Sequence, residues 1–419
     1  MQKSLMNFGF KENEDSIIKV VGVGGAGCNA VNHMYQKGIT GVNFIVCNTD
    51  IQALQNSPIN LKIPLGITLT EGRGAGNNPS QGKQAAIENI EDVRLVFENS
   101  TKMIFLTAGM GGGTGTGATP IIAQLAKEMG ILTVAVVTIP SPQEGKKRYA
   151  QALEGVEELR TQVDSLLVIS NEKLHRIYGD LPARAAFNKA DEIVANAVKG
   201  SAEIITLPGT VNIDFADVET TMLNSGVFLM GTGIGKGSKR ATDATHDALQ
   251  SPLLDSNDIH GAKNILLNII NDSKNEAKLN EIGIIIDTVQ KKAGDSAEII
   301  WGTGVDETLN GGISVTIIAT GFNKNPNKDI VNHNRIYPEH NALYASKKEE
   351  NQVPLYESPF EQEEKSDHIE EPEAQPYIEE TKETTIEKEE VSEKESNGRA
   401  ISRWFKKKFG LYNFFDENN

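Results

Sequence analysis

Ala108-Gly-Met-Gly-Gly-Gly-Thr-Gly-Thr-Gly117 is a glycine-rich segment between an apolar run at 103–107 and a helical pattern. The run before it predicts a β-strand, and the apolar residues after it recur at helical spacing. A strand, a glycine-rich loop and a helix in this order present backbone N–H groups to an anion, and the helix dipole strengthens the attraction. The segment therefore predicts a phosphate-binding loop, with a flexible surface loop as the alternative.

A second loop of this kind follows the first predicted strand, at 17–23. Gly22, Gly24 and Gly27 fit the G-x-G-x-x-G spacing of dinucleotide-binding loops, and Asp50 follows the next predicted strand. A carboxylate at this distance suits the ribose of a dinucleotide. Taken alone, the loop therefore also fits a nicotinamide-dependent oxidoreductase.

A third glycine-rich loop, Glu71–Gly76, contains Arg73, which either meets a phosphate or lies in a plain surface turn. Strands alternate with helices as far as residue 170, which predicts a Rossmann-like parallel sheet with helices on both faces. Loops at the carboxyl ends of parallel strands meet in one crevice, and three such loops favour a phosphate chain longer than a pyrophosphate. The G-x-x-x-x-G-K-[ST] sequence of P-loop proteins is absent.

A long helical pattern covers 183–205, and its apolar residues on two faces predict a helix buried between two domains. Phe187 and Asp191 are one turn apart, so the ring and the carboxylate share a face. A carboxylate accepts hydrogen bonds from both N1–H and N2–H₂ of guanine, whereas adenine has no such pair of donors. This favours GTP, although Asp191 is equally compatible with an aspartate on a helix surface.

Asn212, Asp214 and Asp217 follow this helix within one short loop. An aspartate in this position can simply cap the next helix. Two carboxylates and an amide together can instead orient a water molecule against a phosphate. These residues alone leave both interpretations open.

Composition excludes several classes of protein. Two cysteines, Cys28 and Cys47, are too few for a disulfide framework and favour a reducing cytoplasm. Residues 1–15 have no apolar core of a secretion signal, and no run approaches the roughly 18 apolar residues of a membrane span. The net charge of −16 argues against nucleic acid as the main partner.

The pattern predicts an α/β protein with six segments. These are a flexible N-terminus at 1–14, a GTP-binding domain at 15–182, a central core helix at 183–207, a smaller mixed α/β C-terminal domain at 208–322, a disordered acidic linker at 323–398 and a basic, aromatic peptide at 399–419. The first strand of the smaller domain is predicted at 227–230. The part of the linker from 347 carries 18 acidic and 6 basic residues, which is typical of disorder.

Seven motifs in order along 17–322 resemble the tubulin/FtsZ family of GTPases. The most specific is Gly111-Gly-Gly-Thr-Gly-Thr-Gly117, the signature loop of that family. The others are Val23-Gly-Gly-Ala-Gly-Cys-Asn-Ala-Val31, Val46-Cys-Asn-Thr-Asp50, Glu144-Gly-Lys-Lys-Arg148, Asn212-Ile-Asp-Phe-Ala-Asp217, Met230-Gly-Thr-Gly233 and Ser314-Val-Thr-Ile-Ile-Ala-Thr-Gly-Phe322.

The resemblance implies a role for each of these sites. Two loops would hold the phosphates of GTP or GDP with Mg²⁺. One further pair of residues would lie near the ribose and phosphate, and another pair would bind the base. The phosphate-binding residues are Gly24, Gly25, Ala26, Gly27, Cys28, Asn29, Gly111, Gly112, Gly113, Thr114, Gly115 and Thr116. Glu144 and Arg148 would lie near the ribose and phosphate, and Phe187 and Asp191 would meet guanine.

The resemblance also implies assembly. Asn212, Asp214 and Asp217 would enter the pocket of the next subunit in a head-to-tail filament and complete the hydrolytic site there. Such a protein is cytoplasmic and forms the cytokinetic ring at mid-cell. A polymer that binds GTP but hydrolyses little is the alternative, and the intact loop argues against it.

The sequence departs from the family pattern at two places. Ala26 and Cys28 stand where many relatives have glycine, which predicts a thiol beside the phosphates that is open to oxidation. The C-terminal peptide reads Ile401-Ser-Arg-Trp-Phe-Lys406, without the proline that is common in the family. A peptide at 399–419 would still recruit membrane-tethering and regulatory division proteins, and its lysines would add a weak contact with an acidic membrane surface.

Overall fold

The computed structural model describes residues 16–98, 100–207, 209–251 and 258–322. The predicted flexible N-terminus at 1–14, the acidic linker at 323–398 and the peptide at 399–419 lie outside the described residues. In the described part of the chain, no helix combines the length and the apolar character that crossing a membrane requires.

The first sheet has seven strands, and every neighbouring pair in it is parallel. The strands are β1 (Ile18–Val23), β2 (Asn43–Asn48), β3 (Leu61–Pro64), β4 (Met103–Gly109), β5 (Leu132–Ile139), β6 (Ser165–Ser170) and β7 (Gly226–Val227). Their spatial order is β3-β2-β1-β4-β5-β6-β7. Because β1 and β4 are direct neighbours, with Val23 opposite Ala108, the two loops that follow them leave the carboxyl edge side by side.

Helices connect these strands and cover both faces of the sheet, as crossovers between parallel strands require. They are α1 (Gly24–Gln36), α2 (Ile51–Asn56), α3 (Ile67–Thr70), α4 (Pro79–Glu88), α5 (Ile90–Phe97), α6 (Thr114–Glu128), α7 (Lys146–Gln162), α8 (Asn171–Tyr178), α9 (Ala183–Thr206) and α10 (Phe215–Met222). A short 3₁₀ helix, Pro142–Glu144, precedes α7.

The second sheet is smaller and mixed. It contains β8 (Leu229–Gly235), β9 (Asn264–Asn271), β10 (Glu298–Val305) and β11 (Ile313–Thr320), in the order β10-β9-β11-β8. Helices α11 (Arg240–Leu249) and α12 (Leu279–Ala293) accompany it, with 3₁₀ helices at Gly237–Lys239 and Glu307–Leu309. β10 is parallel to β9, whereas β11 is antiparallel to both of its neighbours. The predicted fold class is confirmed.

The prediction of a single strand at 227–230 was wrong, because the chain changes sheets inside this apolar run. Gly226–Val227 belongs to the first sheet and Leu229 begins the second. Phe228 lies between them, fully buried, and its backbone N–H still donates to Leu166 of β6. An apolar run records burial but not the sheet to which each residue belongs, so this break leaves no signal in the sequence.

Helix α9 lies between the two sheets, as its apolar residues on two faces predicted. One core cluster contains Val198 of α9 together with Phe105 of the first sheet and Ile318 of the second. The helix begins after β6 and α8 and ends beside Gly41, which lies just before β2. A Cβ added to Gly41 would lie 2.8 Å from Cγ2 of Thr206, the last residue of the helix. Its 24 residues span about 36 Å, from the carboxyl side of the first sheet to the amino side.

Candidate functional site

Two helix N-termini lie side by side at the carboxyl edge of the first sheet. Helix α1 follows β1 with Val23 as its N-cap, and α6 follows β4 with Gly113 as its N-cap. Neither N-cap residue has a side chain that accepts a hydrogen bond from the first turn. The N–H groups of both first turns are therefore available to an anion, and both helix dipoles favour one there.

The glycines at this edge fall into two groups. Gly24, with φ +71°, lies so close to α6 that an added Cβ would be 2.8 Å from Gly115 N, and a Cβ on Gly27 would be 2.2 Å from Thr107 O. These glycines allow the two loops and the strands to approach each other. Added Cβ atoms on Gly25 and Gly112 would meet nothing within 4 Å, so their backbone borders open space that suits phosphate oxygens.

The loop threonines are already hydrogen-bonded within the protein. Thr114 Oγ1 lies 2.6 Å from Thr49 Oγ1, which fastens the start of α6 to the loop after β2. Thr116 Oγ1 accepts from the backbone N–H of Gly111 at 2.8 Å and closes the turn in which Gly111 has φ +95°. Both hydroxyls shape the loop, and because Thr116 Oγ1 accepts in this bond, its own O–H stays available to a phosphate beside the backbone N–H groups.

The Cys28 side chain is buried beneath the first phosphate loop and is not open to oxidation, contrary to the sequence expectation. It is 2% exposed, and its thiol lies 3.7 Å from Gly22 O and 3.6 Å from Cys47 O. Burial raises the pKa of the Cys28 thiol to about 12, so it is protonated and unreactive at neutral pH. Any contact with the nucleotide would come from the Cys28 backbone; Asn29, one residue on, is exposed.

The other departure, Ala26, is accommodated by a glycine on the neighbouring loop. An added Cβ on Gly109 would lie 2.6 Å from the Cβ of Ala26, so the two small residues fit only because one of them lacks a side chain. Ala26 is itself exposed at this edge of the sheet.

The third glycine-rich loop packs against the second phosphate loop. An added Cβ on Gly113 would lie 2.8 Å from the Cβ of Ala75. The Arg73 side chain is 82% exposed and pairs with Glu71 at 2.8 Å. Asp50, the carboxylate that suited a dinucleotide ribose, caps α2 by accepting from Ala53 N at 3.1 Å. Asp50, the residue that left a nicotinamide-dependent oxidoreductase possible, therefore has a structural role as a helix cap.

A cavity of about 550 Å³ lies between α8 and the start of α9 and extends to Glu144. Phe187 lines it with a half-exposed ring, which offers a flat apolar surface to a base. Glu144 Oε1 accepts from Ser141 N at 2.9 Å and from Asn171 Nδ2 at 3.0 Å, so this carboxylate is held in place.

The sequence analysis did not identify Asn171 as a site residue. It lines the cavity at the start of α8, and its Oδ1 is buried with no hydrogen-bond partner among the described residues. A buried acceptor without a partner favours a ligand that carries N–H donors. No sequence motif surrounds Asn171. It becomes a candidate site residue only through its hydrogen bond to Glu144 in the folded structure.

Two further residues predicted to bind the nucleotide are Arg148 and Asp191. Arg148 is exposed, and its backbone and Cγ lie beside Gly111, where an added Cβ would be 2.6 Å from Arg148 O. Asp191 is half-buried and follows the cavity-lining residue Ala190. Burial raises the pKa of Asp191 from 3.8 to about 6, a perturbation that is typical of functional carboxylates.

The acidic loop lies far from these residues in the same chain. Asp214 caps α10 through a reciprocal pair of hydrogen bonds, in which Asp214 Oδ1 accepts from Asp217 N at 2.9 Å and Asp217 Oδ2 accepts from Asp214 N at 3.2 Å. Asn212 Oδ1 accepts from Gly209 N at 2.8 Å. Asn212 and Asp214 are exposed and follow the end of α9, whereas Phe187 and Asp191 lie near its start. The helix therefore separates this loop from the nucleotide-binding elements of its own chain.

No group of three or more His, Cys, Asp or Glu side chains that could hold a metal occurs among the described residues. Mg²⁺ needs several oxygen ligands and commonly takes them from substrate phosphates and water. The backbone N–H groups at this edge donate to anions and do not coordinate a cation, so a Mg²⁺ ion would take its ligands from the phosphates and water.

Comparisons with known proteins agree with this geometry. Residues 17–179 match the model of the tubulin/FtsZ family GTPase domain, and residues 226–323 match that of the FtsZ family C-terminal domain. The cell division protein FtsZ of Porphyromonas gingivalis is 44% identical over 333 residues, which cover 79% of this chain and 73% of the relative. That of Pseudomonas aeruginosa is 48% identical over 310 residues, covering 74% and 78%.

Solved structures show the same relationship. A structure described as an empty FtsZ dimer from M. jannaschii has a TM-score of 0.68 and 42% sequence identity, and the match covers 74% of this chain and 89% of that one. A GTPγS-bound protofilament of CetZ2 from Haloferax volcanii shares the fold, with a TM-score of 0.65 at 18% identity over 79% of this chain and 99% of that one. The chain belongs to the FtsZ family of tubulin-like GTPases.

Proposed function

We propose that this protein hydrolyses GTP while it assembles head to tail into the filaments of the bacterial division ring. The observation that carries the proposal is the separation of two half-sites by α9. The phosphate loops lie at one edge of the first sheet, and Asp214 lies beyond the other end of a helix about 36 Å long. A second copy stacked along this direction would bring its acidic loop to the pocket of the first, and repetition of that contact builds an open filament.

The nucleotide would bind with its phosphates on the two uncapped helix N-termini. Backbone N–H groups around Gly25 and Gly112 would donate to the phosphate oxygens, and Arg148 would add a cation beside Gly111. The base would lie against Phe187, with Asp191 accepting from N1–H and N2–H₂ of guanine. The partnerless Oδ1 of Asn171 supplies a further acceptor, and Glu144 holds Asn171 in position.

Hydrolysis would begin when the next subunit's loop completes the pocket. Asp214 and Asp217 would orient a water molecule for attack on the γ-phosphate, with Asn212 beside them, while the backbone N–H groups stabilise the charge that develops on the phosphate oxygens. Mg²⁺ would be held by the phosphates and water, and it would neutralise charge there. Water attack breaks the bond between the β- and γ-phosphates and leaves GDP and inorganic phosphate.

We also propose that the protein acts in the cytoplasm at mid-cell. Residues 399–419 would bind membrane-tethering and regulatory division proteins, because the peptide combines aromatic residues with a net charge of +3. Its lysines would add a weak attraction to an acidic membrane surface. Removal of 399–419 should leave filament formation intact and abolish recruitment by such partners.

The test of the shared site is phosphate release from GTP and from ATP over a range of protein concentrations. We expect a GTP-selective rate per subunit that rises from near zero above a threshold concentration. Asp214→Ala should bind GTP as the unchanged protein does and lose almost all turnover. A rate per subunit that does not depend on concentration would place all catalytic groups in one chain and refute the shared site.

A further inference from the structure

A cluster of polar side chains lies at the amino edge of the first sheet, away from the nucleotide. Its centre is Asp164, which precedes β6 and is 2% exposed. Asp164 Oδ2 accepts from Thr133 N at 2.9 Å, whereas Oδ1 is buried and has no hydrogen-bond partner among the described residues. The Lys127 ammonium lies 3.4 Å from Oδ1 and also donates to Asn224 Oδ1 at 3.1 Å.

This cluster joins two elements that serve opposite ends of the proposed catalytic arrangement. Lys127 is in the last turn of α6, the helix whose N-terminus forms the second phosphate loop. Asn224 follows α10, the helix whose N-terminus carries Asp214 and Asp217. The Lys127–Asn224 hydrogen bond thus connects residues 97 positions apart in the chain.

The segment after α10 is held in an unusual conformation around this bond. Asn224 has φ +49°, which is uncommon for a residue with a side chain. Ser165 Oγ donates to Met222 O at 2.8 Å, and Gly226 N donates to Asp164 O at 2.9 Å. These bonds fix the segment to β6, and Thr320 Oγ1 of β11 donates to Thr221 O near the end of α10 at 3.0 Å. The Lys127–Asn224 hydrogen bond adds a tie to α6.

We propose that Lys127 and Asn224 are positioning residues for GTP hydrolysis. By fixing the end of α10 against α6, they hold the Asp214–Asp217 loop in the orientation in which it acts on the nucleotide of the next subunit. Helix α10 has only eight residues, so a tilt at its end carries through to its N-cap. A displacement of about 1 Å at a catalytic group can cost a large factor in rate, which makes the anchor of this short helix important. The inference rests on the proposed function, because the loop has no role in its own pocket.

Asn224→Gly is the variant that tests the anchor with the least disturbance. Glycine adopts a positive φ without strain, and the Lys127–Asp164 ion pair stays intact. We expect turnover of GTP to fall about three- to tenfold, with KM and GTP affinity unchanged, since the pocket of the variant is untouched. Lys127→Ala should lower turnover similarly, and Lys127→Arg should restore most of it because arginine keeps the charge and the donors. Lys83→Ala, which removes an exposed pair with Glu158 between α4 and α7, is the matched control and should leave turnover unchanged.

The direction of the effect is tested in single turnovers between two kinds of subunit. Asp214→Ala subunits are loaded with labelled GTP and mixed with an excess of unlabelled donor subunits, either unchanged or carrying Asn224→Gly. We expect the Asn224→Gly donor to hydrolyse the label three- to tenfold more slowly than the unchanged donor. Labelled subunits carrying both Asp214→Ala and Asn224→Gly, mixed with the unchanged donor, should hydrolyse at the rate of the single Asp214→Ala acceptor.

Each other outcome overturns a defined statement. If the Asn224→Gly donor is as fast as the unchanged donor, or if only the double-variant acceptor is slow, Asn224 does not position the donated loop. If the unchanged donor fails to hydrolyse the label on Asp214→Ala subunits, the shared site itself is wrong. A melting temperature of Asn224→Gly equal to that of the unchanged protein excludes general loosening of the fold as the cause.

Discussion

Binding of GTP should depend on pH through Asp191. Burial raises the pKa of this carboxyl group from 3.8 to about 6, and only the carboxylate accepts from both guanine donors. With a pKa of about 6, roughly nine tenths of the side chains are ionised at pH 7 and roughly one tenth at pH 5. If the protonated form does not bind, affinity for GTP falls about tenfold between pH 7 and pH 5.

The assay is equilibrium binding of a fluorescent GTP analogue, below the concentration at which the protein assembles. Asp191→Asn keeps the size of the side chain and cannot ionise, so it should bind weakly and show only the pH dependence that comes from the phosphates. The ratio of the two affinities isolates Asp191. A ratio that stays constant from pH 5 to pH 7 would refute the argument that this carboxylate reads guanine.

Asp191→Asn, which should weaken GTP binding, should at the same time raise the free energy of unfolding of the nucleotide-free protein. The folded state disfavours the charged carboxylate, so Asp191 contributes no penalty below its unfolded pKa of 3.8, and the penalty grows until the pH passes about 6. The full shift corresponds to about 3 kcal/mol, which partial exposure of the side chain reduces to about 1–2 kcal/mol. Asp191→Asn should therefore stabilise the nucleotide-free protein by about that amount at pH 7 and leave its stability at pH 3.5 unchanged.

Two further predictions concern the loops and the second sheet. Gly24→Ala should destabilise the fold by about 1–3 kcal/mol, because φ is +71° and the new Cβ would lie 2.8 Å from Gly115 N. In Gly112→Ala the new Cβ would meet nothing within 4 Å, so this variant should keep the unfolding free energy unchanged and weaken GTP binding. Equal stability losses in the two variants would contradict this interpretation of the glycines. Arg240 is 8% exposed and donates hydrogen bonds to both carboxylate oxygens of Glu281 at 2.8 Å. Arg240→Met should therefore lower the free energy of unfolding in urea by about 3–5 kcal/mol. A loss under about 1 kcal/mol, as for an exposed ion pair, would contradict the prediction that this pair behaves as a buried one.

The sequence predicted the strand, loop and helix of the two glycine-rich segments well because their pattern is local; their binding of phosphate stays a prediction. Glycine spacing, a preceding strand and a following helix all lie within about fifteen residues, and backbone N–H groups need no particular side chain. Helix α9 was predictable for a similar reason, since its apolar residues on two faces record contact with two sheets. The roles of Thr114 and Thr116 were not predictable, because a hydroxyl beside a phosphate loop can face the ligand or fasten the loop.

Features that depend on distant partners could not be predicted. Asn171 is a candidate site residue only because Glu144 lies against it, and the direction of the Cys28 side chain depends on the strand that contains Cys47. The position of the sheet change at Phe228 is equally hidden, because both sheets bury apolar residues. In each case the information lies in how separate segments pack, and a single sequence carries no record of that packing.

The length of α9 sets a dimension that a single subunit does not display. If the acidic loop of each copy occupies the pocket of the next, the vector from a subunit's own pocket to its own loop is the translation that generates the polymer. The helix alone is about 36 Å long, and Phe187 and Asp191 of the pocket lie in its first turns. The axial repeat is therefore expected to be on the order of the helix length. Inserting one helical turn would lengthen the repeat by about 5 Å only if both sheets moved apart with it. The packing of both sheets against α9 therefore holds the repeat at a fixed length.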